Sequence, residues 1–206
     1  MFMKPFTNGA VCLAFCASLT VISASSTVAT GSSAARHSCS SAEKALLIAL
    51  GLDEEVNDSE IIRLLYIPVK RIYASGLIRY RKISSATPEL VQIVNDDGAT
   101  LFAKLAAAEA LCDFGNKEWI KVLKPLVADP NSRVHISSKI QLGGLLARAG
   151  DYSQLEFLAS HVAHPKRFVR SGVVQALGNF RGKGRTEVSA AAQLVARVAT
   201  SDPSPW

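Results

Sequence analysis

From residue 42 onward, apolar side chains recur at intervals of three and four, the period of a helix with one buried face. Between Trp119 and Asp129 the positions Ile120, Leu123, Leu126 and Val127 share one face, as do Leu155, Leu158 and Val162 in the stretch ending at His164. Short turns separate these stretches. Gly115 and Gly150 stand where a preceding helix has to stop, because glycine accepts the left-handed conformation that closes one. Asp129-Pro130 and His164-Pro165 follow the second stretches, where proline cannot continue a helix and fixes a corner. Each unit therefore reads as helix, turn, helix.

The units repeat. Stretches close at Asp96, Asp129, His164 and Asp202, at spacings of 33, 35 and 38 residues. A second landmark keeps step, since Leu111…Gly115-Asn116 returns 35 residues later as Leu146…Gly150-Asp151. A single helix pair cannot bury its own apolar stripe, whereas stacked pairs bury a shared one. The pattern predicts an all-α fold, an α-solenoid of about three to four stacked helix pairs. The first helix of the unit after Asp129 is expected to be one turn longer (Val134 to Leu146) than its successor (Val169 to Leu177).

Residues 42–87 fit the plan less well and read as an N-terminal helical capping region ahead of repeats over 88–206. Ala42–Leu50 forms a short helix closed by Gly51, and Asp58 is the expected N-cap of a second. Pro68 divides that helix from one over Val69–Lys82, and Thr87-Pro88-Glu89 supplies an N-cap and first-turn proline for the next.

The segments Ala107-Ala-Glu-Ala-Leu111 with Gly115, Asp129-Pro130 with Val134, and Pro165-Lys-Arg-Phe-Val-Arg170 with Gln175-Ala-Leu-Gly178 give the chain a family likeness. It resembles the HEAT-like repeat proteins, including the subgroup first described in phycobilisome lyases. That family's units open with a turn aspartate, a proline and Val-Arg, then run through an Ala-rich helix to Leu-Gly. The likeness covers roughly 88–206, reaching back toward Val69, and departs where His164 replaces the turn aspartate and His135 the arginine. It implies an armadillo-type fold that binds a protein partner. Through the subgroup alone it also raises a bilin-lyase-like enzyme or chromophore chaperone as an alternative. A fold does not by itself assign a function.

The first residues differ in kind. Lys4 precedes an apolar run from Ala10 to Ile22, followed by the small residues Ser23-Ala24-Ser25 and Thr27-Val28-Ala29. A positive start, a short apolar middle and a small-residue exit are the parts of a secretory signal peptide. The run is too short to span a bilayer, which takes about 20 residues. The expected organisation is a signal peptide over 1–29 and a flexible Ser-rich leader over 30–41. The mature chain would be periplasmic or extracellular and would have no transmembrane helix. Export leaves Cys39 and Cys112, the second on an apolar helical face, so a buried thiol fits better than a disulfide.

The full chain carries 23 Lys+Arg against 17 Asp+Glu, a formal charge of +6, and losing Lys4 with the signal peptide leaves +5. That surplus suits nucleic acid, an anionic membrane or an acidic protein without choosing among them. It is concentrated between Ile61 and Pro88, where there is no acid at all. Arg63, Lys70, Arg71, Arg79, Arg81 and Lys82 alternate there with Tyr66, Tyr73 and Tyr80, the tyrosines seven residues apart. Basic side chains among aromatics suit carboxylate or phosphate recognition, and the competing reading is a solvated face over an aromatic core. A second basic group comprises Lys166, Arg167 and Arg170, then Arg181, Lys183 and Arg185 in a glycine-containing loop. Export argues against nucleic acid as the partner.

Catalytic chemistry has few candidates. His161 and His164 lie three apart, a spacing that could hold a metal, but a third ligand is not evident. Cys112 and His135 as nucleophile and base would need an accessible thiol. A Gly-rich phosphate loop, a Cys-x-x-Cys pair and paired catalytic carboxylates are all missing from the sequence. The expectation is a non-catalytic, cofactor-free scaffold, with an anionic-polymer or headgroup binder as a further alternative.

Overall fold

A computed structural model describes residues 40–129, 132–182 and 185–201. The expected signal peptide, most of the leader, Cys39, Pro130, Lys183 and Asp202–Trp206 lie outside the described residues. The described residues divide into two units between Ala45 and Leu46. Of the first, residues 40–45 are described, and there Ser40 Oγ accepts the Glu43 amide at 3.3 Å. Apart from the start of the helix Ser41–Leu50, all that follows concerns the second unit.

The chain is all-helical, with no strand among the described residues. Among the described residues ten α-helices occur in order: α1 (Ser41–Leu50), α2 (Asp58–Arg63), α3 (Arg71–Arg81), α4 (Thr87–Asn95), α5 (Leu101–Asp113), α6 (Trp119–Ala128), α7 (Ile136–Arg148), α8 (Leu155–Ala159), α9 (Arg167–Leu177) and α10 (Thr186–Ser201). Short 3₁₀ turns cover Leu64–Tyr66, Pro68–Lys70 and Ser84–Ala86. Helices α3, α5, α7 and α9 pack each on the next. Helix α4 packs on α5 and α6, α6 on α7, and α8 on α9 and α10. The middle of this arrangement is buried. Residues Leu105–Leu111 of α5 and Leu142–Ala147 of α7 are all buried, which their Ala- and Gly-rich sequences allow by letting neighbouring backbones approach.

The helix stops are local and alike. Gly115 (φ +77°) and Gly150 (φ +88°) are left-handed, and the residue after each bonds back five positions, Asn116 N to Leu111 O and Asp151 N to Leu146 O, both at 2.9 Å. The same closure ends α3, where Ile83 N donates to Ile78 O at 2.9 Å around a left-handed Lys82 (φ +56°). Positions 78, 111 and 146 thus extend the 33- and 35-residue spacing one unit upstream of the glycine landmark.

The starts correct several expectations by a residue or two. Asn57, not Asp58, caps α2, its Oδ1 accepting the Glu60 amide at 3.0 Å while Asp58 begins the helix. Thr87 lies inside α4 rather than capping it, and its hydroxyl donates to Ser84 O at 2.7 Å in the preceding 3₁₀ turn. Helix α7 has 13 residues and α9 has 11, so the expected extra turn is about half a turn. The stretch from Leu155 to His164 stays α-helical only to Ala159. Beyond it, Ser160 Oγ donates to Phe157 O at 2.7 Å and His161 Nδ1 meets the same carbonyl at 2.8 Å, so side chains take up the acceptor and the backbone tightens into three-residue turns.

Two helical glycines respond oppositely to substitution. A Cβ on Gly144 would stand 2.9 Å from Ala176 Cα, where α7 crosses α9, whereas on Gly172 its closest neighbour is Ile140 Cγ2 at 3.5 Å. Gly144→Ala is expected to lower stability by about 1–3 kcal/mol through overpacking. Gly172→Ala is expected to leave it unchanged or raise it by up to about 1 kcal/mol through helix propensity. Urea denaturation of both variants checks this.

Candidate functional site

The basic run of residues 63–82 does not form a free cationic surface. Lys70 Nζ donates to Leu50 O at 3.1 Å, and Arg71 bonds Leu65 O through Nε at 3.0 Å and Asp96 through Nη1 at 2.7 Å. Arg81 reaches Val56 O at 2.7 Å and Glu54 O at 3.0 Å. Arg63 and Lys82 are exposed. The tyrosines do not form one face, because Tyr66 sits in the 3₁₀ turn and only Tyr73 (half-buried) and Tyr80 (exposed) lie on α3.

Arg79 carries the most consequential contacts. It pairs with the Glu109 carboxylate and, through Nε, with Asp113 at 3.0 Å. Gln141 Nε2 donates to the other Glu109 oxygen at 2.9 Å. Arg148 donates to the Glu109 carbonyl at 3.0 Å and pairs with Asp113 at 2.9 Å. A network on α5 is thereby joined to α3 on one side and α7 on the other. Glu109 is 7% exposed, and each of its carboxylate oxygens is satisfied by a neighbouring helix. Burial works against the Arg148 cation, but hydrogen bonding to Cys112 and the nearby Asp113 and Glu109 charges outweigh it and raise its pKa.

In the second basic group Arg170 is engaged by the carbonyls of His164 (3.0 Å) and Pro165 (3.1 Å), and Lys166 lies 5.9 Å from the Phe168 ring centre. Arg167 and Arg181 are exposed. Tyr152 stacks on Phe180 (5.1 Å between centres), donates its hydroxyl to Arg181 O, and has the Arg185 guanidinium 5.2 Å over its ring.

The histidines serve as turn residues. His135 Nδ1 accepts the Ser137 amide at 3.2 Å and His164 Nδ1 accepts the Lys166 amide at 3.1 Å, as the Asp96 and Asp151 carboxylates do for Gly98 and Ser153. His164 thus fills the turn-aspartate role. The described residues hold no group of three or more His, Cys, Asp or Glu arranged to bind a metal, and Cys112 is a half-buried free thiol. No described helix is long and apolar enough to cross a membrane.

What sequence reading missed is a run of exposed apolar residues in the connection after α2. Tyr66 is 62%, Ile67 41% and Val69 81% exposed. Beside it lies a cleft of about 40 Å³ between the 3₁₀ turn and α4, lined by Tyr66, Arg71, Glu89, Gln92 and Asp96 among others. The signal was present as Leu64-Leu-Tyr-Ile-Pro-Val69, six apolar residues in succession, too many for one buried face. No family model, curated protein or solved structure matches this chain.

Removing the Glu109 carboxylate strands Arg79 and Gln141, so Glu109→Ala is expected to cost about 3–5 kcal/mol. Asp113→Ala, at a side chain 39% exposed, is expected to cost under about 1 kcal/mol. Paired urea denaturation curves test the contrast. A pH dependence is expected at Asp151. Burial works against ionisation of Asp151, yet hydrogen bonds from Lys124 (2.6 Å) and Ser153 hold its pKa below the ordinary 3.8. A lowered folded-state value means the stabilisation is complete above 3.8 and disappears as pH falls through the folded-state value. The urea midpoint is expected to drop across that window, and less steeply in Asp151→Asn.

Proposed function

We propose that this chain is an exported, non-catalytic scaffold of stacked HEAT-like helix pairs that binds another protein. The observation that carries the reading is the exposure of Tyr66, Ile67 and Val69 on a connection whose backbone is held in place. Ile67 N bonds Leu64 O at 3.1 Å and Lys70 N bonds Ile67 O at 2.9 Å, while the Lys70 and Arg71 side chains tie the segment to Leu50 and Leu65. Exposed aromatic and aliphatic side chains on a rigid support are the usual anchors of protein interfaces, since little entropy is lost in ordering them on binding. The successive packing of α3, α5, α7 and α9, with second helices laid against them, supports the repeat architecture. The export assignment rests on residues 1–29 of the sequence.

The anionic-polymer reading of the 63–82 run has less support, because Lys70, Arg71, Arg79 and Arg81 each direct donors at oxygens within the protein. Affinity capture from an envelope extract in moderate salt tests the proposal. The double variant Tyr66→Ser/Val69→Ser is expected to keep its thermal midpoint, as exposed substitutions change stability by about 0.5 kcal/mol or less. It is expected to lose whatever protein the unaltered chain retains. Equal retention by both chains would refute the assignment of this surface.

A further inference from the structure

We infer that the cleft beside Tyr66 receives a lysine side chain of the partner protein, held there by the Glu89 carboxylate. The inference deepens the reading of the 64–70 connection as a protein-binding surface and rests on it.

The cleft is small and its lining is mixed. Leu65, Tyr66 and Ile93 line it together with Arg71, Glu89, Gln92 and Asp96, around a volume of about 40 Å³. A single water needs on the order of 10–15 Å³, so the space admits about three non-hydrogen atoms. That is enough for the end of a lysine with its compact ammonium. It is too little for the broader planar guanidinium of an arginine.

The charges of the lining leave one acid uncompensated. Arg71 is spent on Asp96 at 2.7 Å and on Leu65 O at 3.0 Å. The other Asp96 oxygen accepts the Gly98 amide at 2.9 Å. Glu89 has no such arrangement. Its Oε2 is closed off from water, and no described group donates to it. A carboxylate oxygen in that position is costly to the fold, and a donor reaching the group relieves the cost. The last torsion of a glutamate side chain is broad, so the carboxylate can turn to meet a donor entering the cleft. Arg71 and Asp96 cancel, and the lining is left with the negative charge of Glu89.

A lysine matches each part of this site. Its ammonium carries three N–H donors and no acceptor, as an unsatisfied carboxylate requires. Its methylene stem suits Leu65, Tyr66 and Ile93, since such stems pack on apolar surface while the charged head stays among polar groups. The residues flanking that lysine are apolar, because Tyr66 is followed along the chain by the exposed Ile67 and Val69. One charge contact ringed by apolar ones that exclude water is the composition of an interface hot spot.

The test uses the full chain and a labelled, end-blocked Leu-Ala-Lys-Ala-Leu peptide, read by fluorescence anisotropy in moderate salt. Saturable binding is expected, weakened about tenfold or more when norleucine replaces the lysine, as loss of a charge-assisted contact implies. Glu89→Gln is expected to weaken binding of the lysine peptide by a similar factor and to leave the norleucine peptide almost unaffected. The two changes together then cost no more than either alone, which is the mark of a direct contact. Asp97→Asn removes the same charge from an exposed position in the neighbouring turn and is expected to weaken binding by less than about threefold. The thermal midpoint of Glu89→Gln is expected to stay unchanged or rise, because no described group donates to the buried oxygen it replaces. Independent effects of Glu89→Gln and norleucine, tighter binding of the matching arginine peptide, or no saturable binding overturns the inference. Binding of n-butylammonium as tight as that of the peptide, with the same dependence on Glu89, overturns it in favour of a small amine. If it is overturned while envelope capture still depends on Tyr66 and Val69, the cleft loses its lysine and the scaffold reading stands.

Discussion

A carboxylate buried among alanines governs how the central helices meet. Helix α5 offers its neighbours an almost featureless surface of Ala106, Ala107, Ala108 and Ala110, against which another helix can settle in several registers. Glu109 removes that freedom. A charge taken out of water is tolerated only where donors converge on it. They come from different directions, Arg79 on α3 and Gln141 on α7, with Arg148 closing the pattern on the Glu109 carbonyl and on Asp113. Sliding α3 or α7 along α5 by a turn would break these bonds.

This gives the basic stretch before Pro88 a structural purpose. A segment without acids is short of internal partners, so its cations turn to acids and carbonyls on other elements, and the resulting bonds hold α3 to α5 and the 64–70 connection to its neighbours. The cations fasten the connection, and the apolar residues they fasten are left facing outward. Polar side chains hold the frame and apolar ones are displayed, the reverse of the division of labour that charge patterning suggests.

Much of the fold was legible because it is written locally. Gly115 and Gly150 end helices where their conformational freedom indicates, and Asp96, Asp129 and His164 close second helices or turns at the spacings read from the chain. The left-handed Lys82 could not be foreseen, since a lysine carries no mark of that conformation. The early end of α8 depends on Ser160 and His161 reaching one carbonyl, a competition that apolar periodicity does not register. The candidate site was the less legible part. Whether Arg79 faces water or Glu109 depends on a partner 30 residues away, and composition cannot tell the two apart.

The reach of the Glu109 network bears on how the chain acquires its form. Its bonds join residues 30, 32 and 39 apart, and the principal helix contacts likewise run between elements close in sequence. The entropy lost in closing such loops grows slowly, by about 0.6 kcal/mol per doubling of length. Chains of low contact order also fold quickly. Each new helix can therefore dock on the preceding ones as it emerges from synthesis. The buried glutamate gains Arg79 from the part already made and waits only for α7 to supply the rest, so assembly proceeds from the N-terminal side without the distant end of the chain.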